Sequence, residues 1–104
     1  MPRVAFKMQL KKGFEAEYKK RHDELWPDLE KLLKSHGISD YGIYLDETTL
    51  SLFAIMQVED PEKLKQLPDA PVMKKWWKYM GDIMETNTDH SPLSTPLKPV
   101  FYLP

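Results

Sequence analysis

The stretch YGIYLDETTLSLFAIMQV, residues 41–58, decides the fold. Tyr41, Ile43 and Leu45 fall on every second position, and so do Leu50, Leu52, Ala54, Met56 and Val58. A period of two is that of a strand with one buried face. Between the two runs, Asp46-Glu47-Thr48-Thr49 reads as a hairpin loop. The centre of the chain is therefore a β-hairpin, and what flanks it fixes the topology.

Working outward toward the N-terminus, Gly37 is a natural helix stop, and a period of 3.6 precedes it. Phe14, Tyr18, His22, Leu25, Trp26, Leu29 and Leu32 or Leu33 fall on one stripe. Pro27 lies inside this segment and has no N–H for the carbonyl of Asp23, so a kink or break is expected there. Lys11-Lys12-Gly13 separates it from residues 3–10, where Val4, Phe6, Met8 and Leu10 alternate with Arg3, Ala5, Lys7 and Gln9 as a first strand. Toward the C-terminus, Asp60 is an N-cap and Pro61 suits the first helical position. This second helix is expected to break at Pro68-Asp69-Ala70-Pro71 and resume through Val72, Met73, Trp76, Trp77, Met80, Ile83 and Met84. ETNTDHSPLSTP, residues 85–96, reads as an ordered loop. A last strand is expected from Leu97 to Leu103, with Pro99 suiting an edge.

The order strand, helix, strand, strand, helix, strand is the split βαβ pattern of the ferredoxin-like α+β fold. Residues 1–104 form one such domain, an antiparallel sheet with its helices on one face. The other face is not properly polar. Ala5, Tyr44, Phe53, Ile55, Val100 and Tyr102 are spaced to point there. So much apolar surface calls for a cover. A second copy packed sheet against sheet supplies one, giving a homodimeric α+β barrel.

The totals narrow the function classes. A chain of 104 residues holds one core and has a thin stability margin, which a dimer would widen. Lys plus Arg number 15 and Asp plus Glu 16, too even for a nucleic-acid face. No cysteine is present, which rules out disulfides, thiolate chemistry and Cys-based zinc sites. No apolar run approaches the roughly 20 residues of a membrane span. MPRVAFKMQL carries no signal-peptide h-region, so a soluble cytoplasmic protein is expected. No nucleic-acid or membrane partner is anticipated. Three Trp, five Tyr and four Phe leave room for an aromatic ligand wall as well as a core.

Few residues offer chemistry. His22 lies four after Tyr18 and four before Trp26, so one helix face would carry all three. It is either a satisfied histidine at the core edge or an acid–base in an aromatic pocket, able to give and take a proton near neutrality. Trp76 and Trp77 point about 100° apart on a helix, so one can face the core and the other a cleft. Either both are core, or one indole lies on the CH face of a sugar with its N–H bonding a hydroxyl. Tyr41 opens the second strand, where it serves the core or bonds a ligand at the sheet end. His22, His36 and His90 lack HxH or HxxxH spacing, so no metal is expected. GxGxxG, GxxxxGK[ST] and GxSxG are absent. The run KKRHDE, residues 19–24, reads as a solvated helix face.

Four stretches resemble the L-rhamnose mutarotase family: AFKMQL at 5–10, EYKKRHDELWPDLEKLLKSHG at 17–37, YGIYLD at 41–46 and WWKYMGDIM at 76–84. The ending VFYLP at 100–104 is similar too. The combination of YxxxRH, LWP, WWKYM and terminal FYLP is specific, and the likeness runs along nearly the whole chain. The resemblance implies a dimeric α+β barrel that interconverts the α and β anomers of L-rhamnose without cofactor or metal. It implies His22 as proton donor, with substrate contacts at Tyr18, Tyr41, Trp76 and Trp77. A bound water, a tyrosine hydroxyl or a carboxylate would serve as partner base. Two other readings accompany it: a monooxygenase of the same dimeric barrel, cofactor-dependent or cofactor-free, and a non-catalytic sugar-binding dimer. The former needs haem, an oxidisable aromatic substrate or redox groups, for which the residues give no further support.

Overall fold

A computed structural model describes residues 2–104. Its central strand is β3 (Ser51–Val58), paired antiparallel on one side with β2 (Ile38–Asp46) and on the other with β1 (Arg3–Gln9). The two-residue β4 (Thr95–Pro96) pairs antiparallel with β1, so the sheet order is β2-β3-β1-β4. This is the ferredoxin-like arrangement that the hairpin and its flanking helical periods call for. Alternation on β3 is nearly complete: Leu52, Ala54, Met56 and Val58 are buried, while Ile55 is exposed. The helices lie over the buried set, with Leu29, Met73, Trp76, Met80 and Ile83 packed beneath them in the core.

Prolines set the helix starts. The first expected helix is two: α1 (Glu15–Asp23) and α2 (Pro27–Ser35). The break precedes Pro27 rather than following it. Trp26 is driven into the extended region, φ −60 and ψ 130, as the residue before a proline. Pro27 then occupies the first helical position, where its missing N–H costs nothing. Trp26 therefore does not share the helix of Tyr18 and His22, against the expectation from spacing. The second helical region is divided as anticipated, into α3 (Pro61–Leu64), a 3₁₀ turn (Leu67–Asp69) and α4 (Pro71–Met80). Asp60 caps α3, its Oδ1 accepting from the N–H of Glu62 at 3.0 Å. Helix α4 ends at Met80, so Ile83 and Met84 reach the core from the turns beyond it.

The loop at 85–94 is pinned by backbone bonds. Glu85 N–H donates to Gln9 and Leu93 N–H to Glu85, at 2.9 and 3.1 Å. The expected strand at 97–103 does not form. After β4, among the described residues, only the Leu97 N–H reaches the sheet, at the carbonyl of Ala5, 3.0 Å away. Pro96 and Pro99 lack the donors a ladder needs, so the tail leaves the edge. Val100, Phe101, Tyr102 and Leu103 are all exposed, and Tyr102 lies under the Arg3 guanidinium at 4.4 Å. Val100 and Tyr102 are thus not residues of the sheet face, which is carried by Ala5, Tyr44, Phe53 and Ile55.

Two glycines hold left-handed backbone in unlike surroundings. Gly37 (φ 76) has no room for a Cβ, which would meet Glu59 Cβ at 3.0 Å, whereas at Gly13 (φ 92) nothing lies within 4 Å. Gly13→Ala should cost about 1–2 kcal/mol, the left-handed penalty alone. Gly37→Ala should cost more, because the Glu59 side chain must also move. Urea unfolding midpoints of the two variants measure the difference, and equal losses would show that Glu59 yields freely.

Candidate active site

Helix α1 places Tyr18 and His22 one turn apart, and their rings stack with centroids 4.3 Å apart and planes at 30°. His22 Nδ1 lies 2.9 Å from the carbonyl oxygen of Tyr18. A carbonyl only accepts, so Nδ1 must carry the hydrogen. In the neutral ring that leaves Nε2 with a free lone pair. Burial lowers the His22 pKa from its ordinary value, opposed by the Tyr18 carbonyl bond and the nearby Asp23 carboxylate. His22 therefore tends toward the neutral form, with Nε2 the one ring nitrogen available to a ligand.

Helix α4 supplies the wall behind it. Trp76 meets His22 edge-on, at 5.5 Å and 90°, and meets Trp26 the same way at 5.1 Å and 87°. Tyr79 stacks on Trp26 at 5.5 Å and completes the cluster against Trp76 at 5.7 Å. Such offset and edge-to-face contacts are the favoured ones for aromatic quadrupoles. Trp76 is buried and Trp77 half-buried, so the adjacent pair divides as a helix requires. Trp26, off its expected helix, still joins the site as packing for Trp76.

Arg21 is a residue that reading the run KKRHDE as solvated surface missed. Its side chain is only 10 % exposed. Nε donates to Glu17 at 2.7 Å, and Nη1 to the Tyr79 carbonyl at 2.8 Å. Nη1 and Nη2 hold both Asp82 oxygens, at 2.9 and 3.2 Å, and the guanidinium lies 4.2 Å over the Tyr79 ring. The paired fork raises the Arg21 pKa and lowers that of Asp82. Arg21 thus ties α1 to the end of α4 and holds His22 against Trp76. The i,i+4 spacing from Glu17 and the place of Arg21 in a family motif were signals in the sequence; nothing along the chain paired it with Asp82, 61 residues away.

Tyr41, on β2, approaches from the sheet. It is 38 % exposed, yet its hydroxyl end sits in crowded surroundings and desolvation pushes its pKa up to about 12. Tyr18 is raised by burial first and by Tyr41 second, which brings the two phenols within electrostatic reach. Both stay protonated at neutral pH and can donate to a ligand oxygen. Tyr18, His22, Tyr41, Trp76 and Trp77 all line one cavity of about 1240 Å³ between helices and sheet. The loop brings Asn87 and His90 to the same cavity, polar residues not singled out from spacing. Among the described residues, no three His, Asp or Glu side chains converge as a metal-holding group.

The arrangement is an aromatic cleft with one titrating nitrogen and two phenols, suited to a neutral polyol. The family model described as L-rhamnose mutarotase matches residues 3–103. An L-rhamnose mutarotase of Brucella anthropi is 56 % identical over 102 residues, 98 % of this chain and 96 % of that one. One from a Jannaschia species is 52 % identical over 104 residues, the whole of both chains. The crystal structure of an L-rhamnose mutarotase from Formosa agariphila superposes with a TM-score of 0.93 at 48 % identity, covering both chains entirely. On a shared fold and near-complete sequence likeness, the chain belongs to the L-rhamnose mutarotase family, isomerases that interconvert the anomers of a sugar.

Proposed function

We propose that this isomerase interconverts the α and β anomers of L-rhamnose with His22 as its proton shuttle and Tyr18, Tyr41, Trp76 and Trp77 as its sugar contacts. The observation that carries this is the Nδ1–H bond from His22 to the Tyr18 carbonyl, which leaves the free lone pair on Nε2 of an imidazole that lines the cavity beside an aromatic wall. Anomerisation moves one proton between two oxygens on the same carbon. Nε2 takes the proton from the anomeric hydroxyl while the bond from C1 to the ring oxygen breaks, and returns it to the ring oxygen. The product is the open aldehyde. Rotation about C1–C2 turns the other carbonyl face, and the steps run in reverse to close the ring. His22 is therefore base and then acid in each direction. The phenols of Tyr18 and Tyr41, kept protonated, bond the sugar hydroxyls, and the indoles of Trp76 and Trp77 suit its CH surfaces and the methyl at C6. Because uncatalysed mutarotation already proceeds, general acid–base help of about 10²–10⁴-fold is sufficient.

His22→Gln keeps size and hydrogen bonding but removes the titrating nitrogen. It should lower anomer exchange, followed by saturation-transfer NMR, about 10²-fold while the protein stays folded. A folded variant that exchanges at the parent rate would end the proposal. The pH dependence has a definite sign. Burial lowers the His22 pKa, so neutral Nε2 is present at pH 7 and is lost on acidification. Exchange should be flat above the ordinary histidine value of about 6.5 and fall below it, with its midpoint under that value. The folded state disfavours the proton that the unfolded chain binds near pH 6.5, so stability present above that pH is also lost as pH falls through the lower folded value. His22→Gln should remove this part of the acid loss. A rate that rises toward pH 5 would require imidazolium as the resting acid and contradict the assignment.

The same reading includes a homodimer formed through the open face of the sheet and a cytoplasmic location. Tyr44 and Ile55, 67 % and 41 % exposed, together with Ala5 and Phe53, support the dimer, since apolar surface of this kind is costly in water. A chain without cysteine needs no oxidising compartment. No described helix is long and apolar enough to cross a membrane. Sedimentation at micromolar concentration should give twice the chain mass, and Phe53→Asp should split the dimer because a charge would be buried unpaired. A parent protein that sediments as a monomer with full activity would overturn the dimer and leave the reaction untouched.

A further inference from the structure

Strand β2 contains an irregularity beside the site. Ser39 pairs with Gln57 and Gly42 with Ile55, so Asp40 and Tyr41 together face the one intervening residue, Met56. Two residues opposite one is a β-bulge. Its first residue, Asp40, has φ 49, in the left-handed region where such bulges ordinarily place glycine. Asp reaches this region more readily than most residues, and β-branched side chains scarcely do. The Asp40 carboxylate Oδ2 accepts a 3.4 Å bond from Gln57 Nε2 on β3.

The bulge changes which side of the sheet each residue faces. Ile38 is buried, and Ile43 and Leu45 pack on the core. In an unbroken strand, positions 38 and 43 would point to opposite faces. The extra residue reverses the phase, so that Ile38 and the set Tyr41, Ile43, Leu45 all reach the helix side. Without it, either Ile38 leaves the core or Tyr41 leaves the cavity.

We propose that Asp40 is a positioning residue of the sugar site: as the left-handed residue of the bulge, it sets the aim of Tyr41 into the cavity. The proposal rests on the reading of Tyr41 as a sugar contact. It gives Asp40, which itself borders the cavity, a role in affinity that acts through the Tyr41 side chain.

The test is a set of variants whose exchange kinetics with L-rhamnose are measured by NMR. Asp40→Gly and Asp40→Asn accept a positive φ and should keep KM within about twofold of the parent. Asp40→Val resists it and should raise KM about fivefold, the effect of one displaced neutral hydrogen bond, with kcat little changed. Should Asp40→Val fail to fold, Asp40→Ala meets the same constraint more mildly and is read in the same way. In a Tyr41→Phe background the Asp40→Val or Asp40→Ala change should have no further effect on KM, because the hydroxyl it misaims is gone. Equal rises with and without the Tyr41 hydroxyl, or an Asp40→Gly variant as impaired as Asp40→Val, would overturn the aiming role. If Tyr41→Phe alone leaves KM at the parent value, the sugar contact itself fails and the proposal falls with it. If Tyr41→Phe raises KM and Asp40→Val does not, only the aiming role is lost.

Discussion

The pleat of β3 is the constraint on which the rest of the molecule depends. Leu52, Ala54, Met56 and Val58 all face one way from the centre of the sheet, and each is at most 5 % exposed. Covering them requires every helix to lie on that side. Helices α1 and α4 thereby meet on the same side through the His22–Trp76 and Arg21–Asp82 contacts, and the aromatic cleft lies beside them. The same one-sidedness leaves Tyr44, Phe53 and Ile55 on a face with no helix. Site and open face are two results of a single period-two pattern.

Within that frame, the contact between α1 and α4 is specified by polar groups as well as by packing. An aromatic cluster of Tyr18, His22, Trp26, Trp76 and Tyr79 has area and preferred angles, but such contacts tolerate some sliding. Arg21 removes that freedom. A bidentate fork on Asp82 and a bond to the Tyr79 carbonyl allow one register of α1 on the end of α4. Its energetic value cannot be large where Asp82 is well exposed, since solvent screens such a pair. Its value is geometric: His22 follows Arg21 in the chain, so fixing one fixes the other against Trp76.

The imidazole is fixed a second time, from within its own helix. The Tyr18 carbonyl four residues earlier selects the Nδ1–H tautomer, while burial disfavours the charged ring. The proposed shuttle needs a nitrogen that is unprotonated at rest, and this environment favours that state. Tyr41 then approaches from the opposite layer, on a strand whose phase is reversed by a bulge. The site is thus assembled from a helix, its partner helix and a sheet, each held by a different device.

How much of this was legible in the sequence follows from the range of the forces concerned. Period two and period 3.6 are local, so the hairpin at 41–58, the flanking helices and the split βαβ order could be read directly. Prolines are local too, and Pro27, Pro61 and Pro71 marked helix starts, Pro27 giving a break where a kink or break was expected. The family motifs singled out Tyr18, His22, Tyr41, Trp76 and Trp77, and the fold brings all five to one cavity. The final strand misled, because its alternation was real but Pro96 and Pro99 deprive the ladder of donors. What only the tertiary structure decided was long-range: the partner of Arg21, the place of Trp26 behind Trp76, the tautomer and depressed pKa of His22, and the extra residue that brings Ile38 and Tyr41 to the same side. Each of these depends on a second segment arriving at a set distance and angle, and no spacing along one segment contains that information.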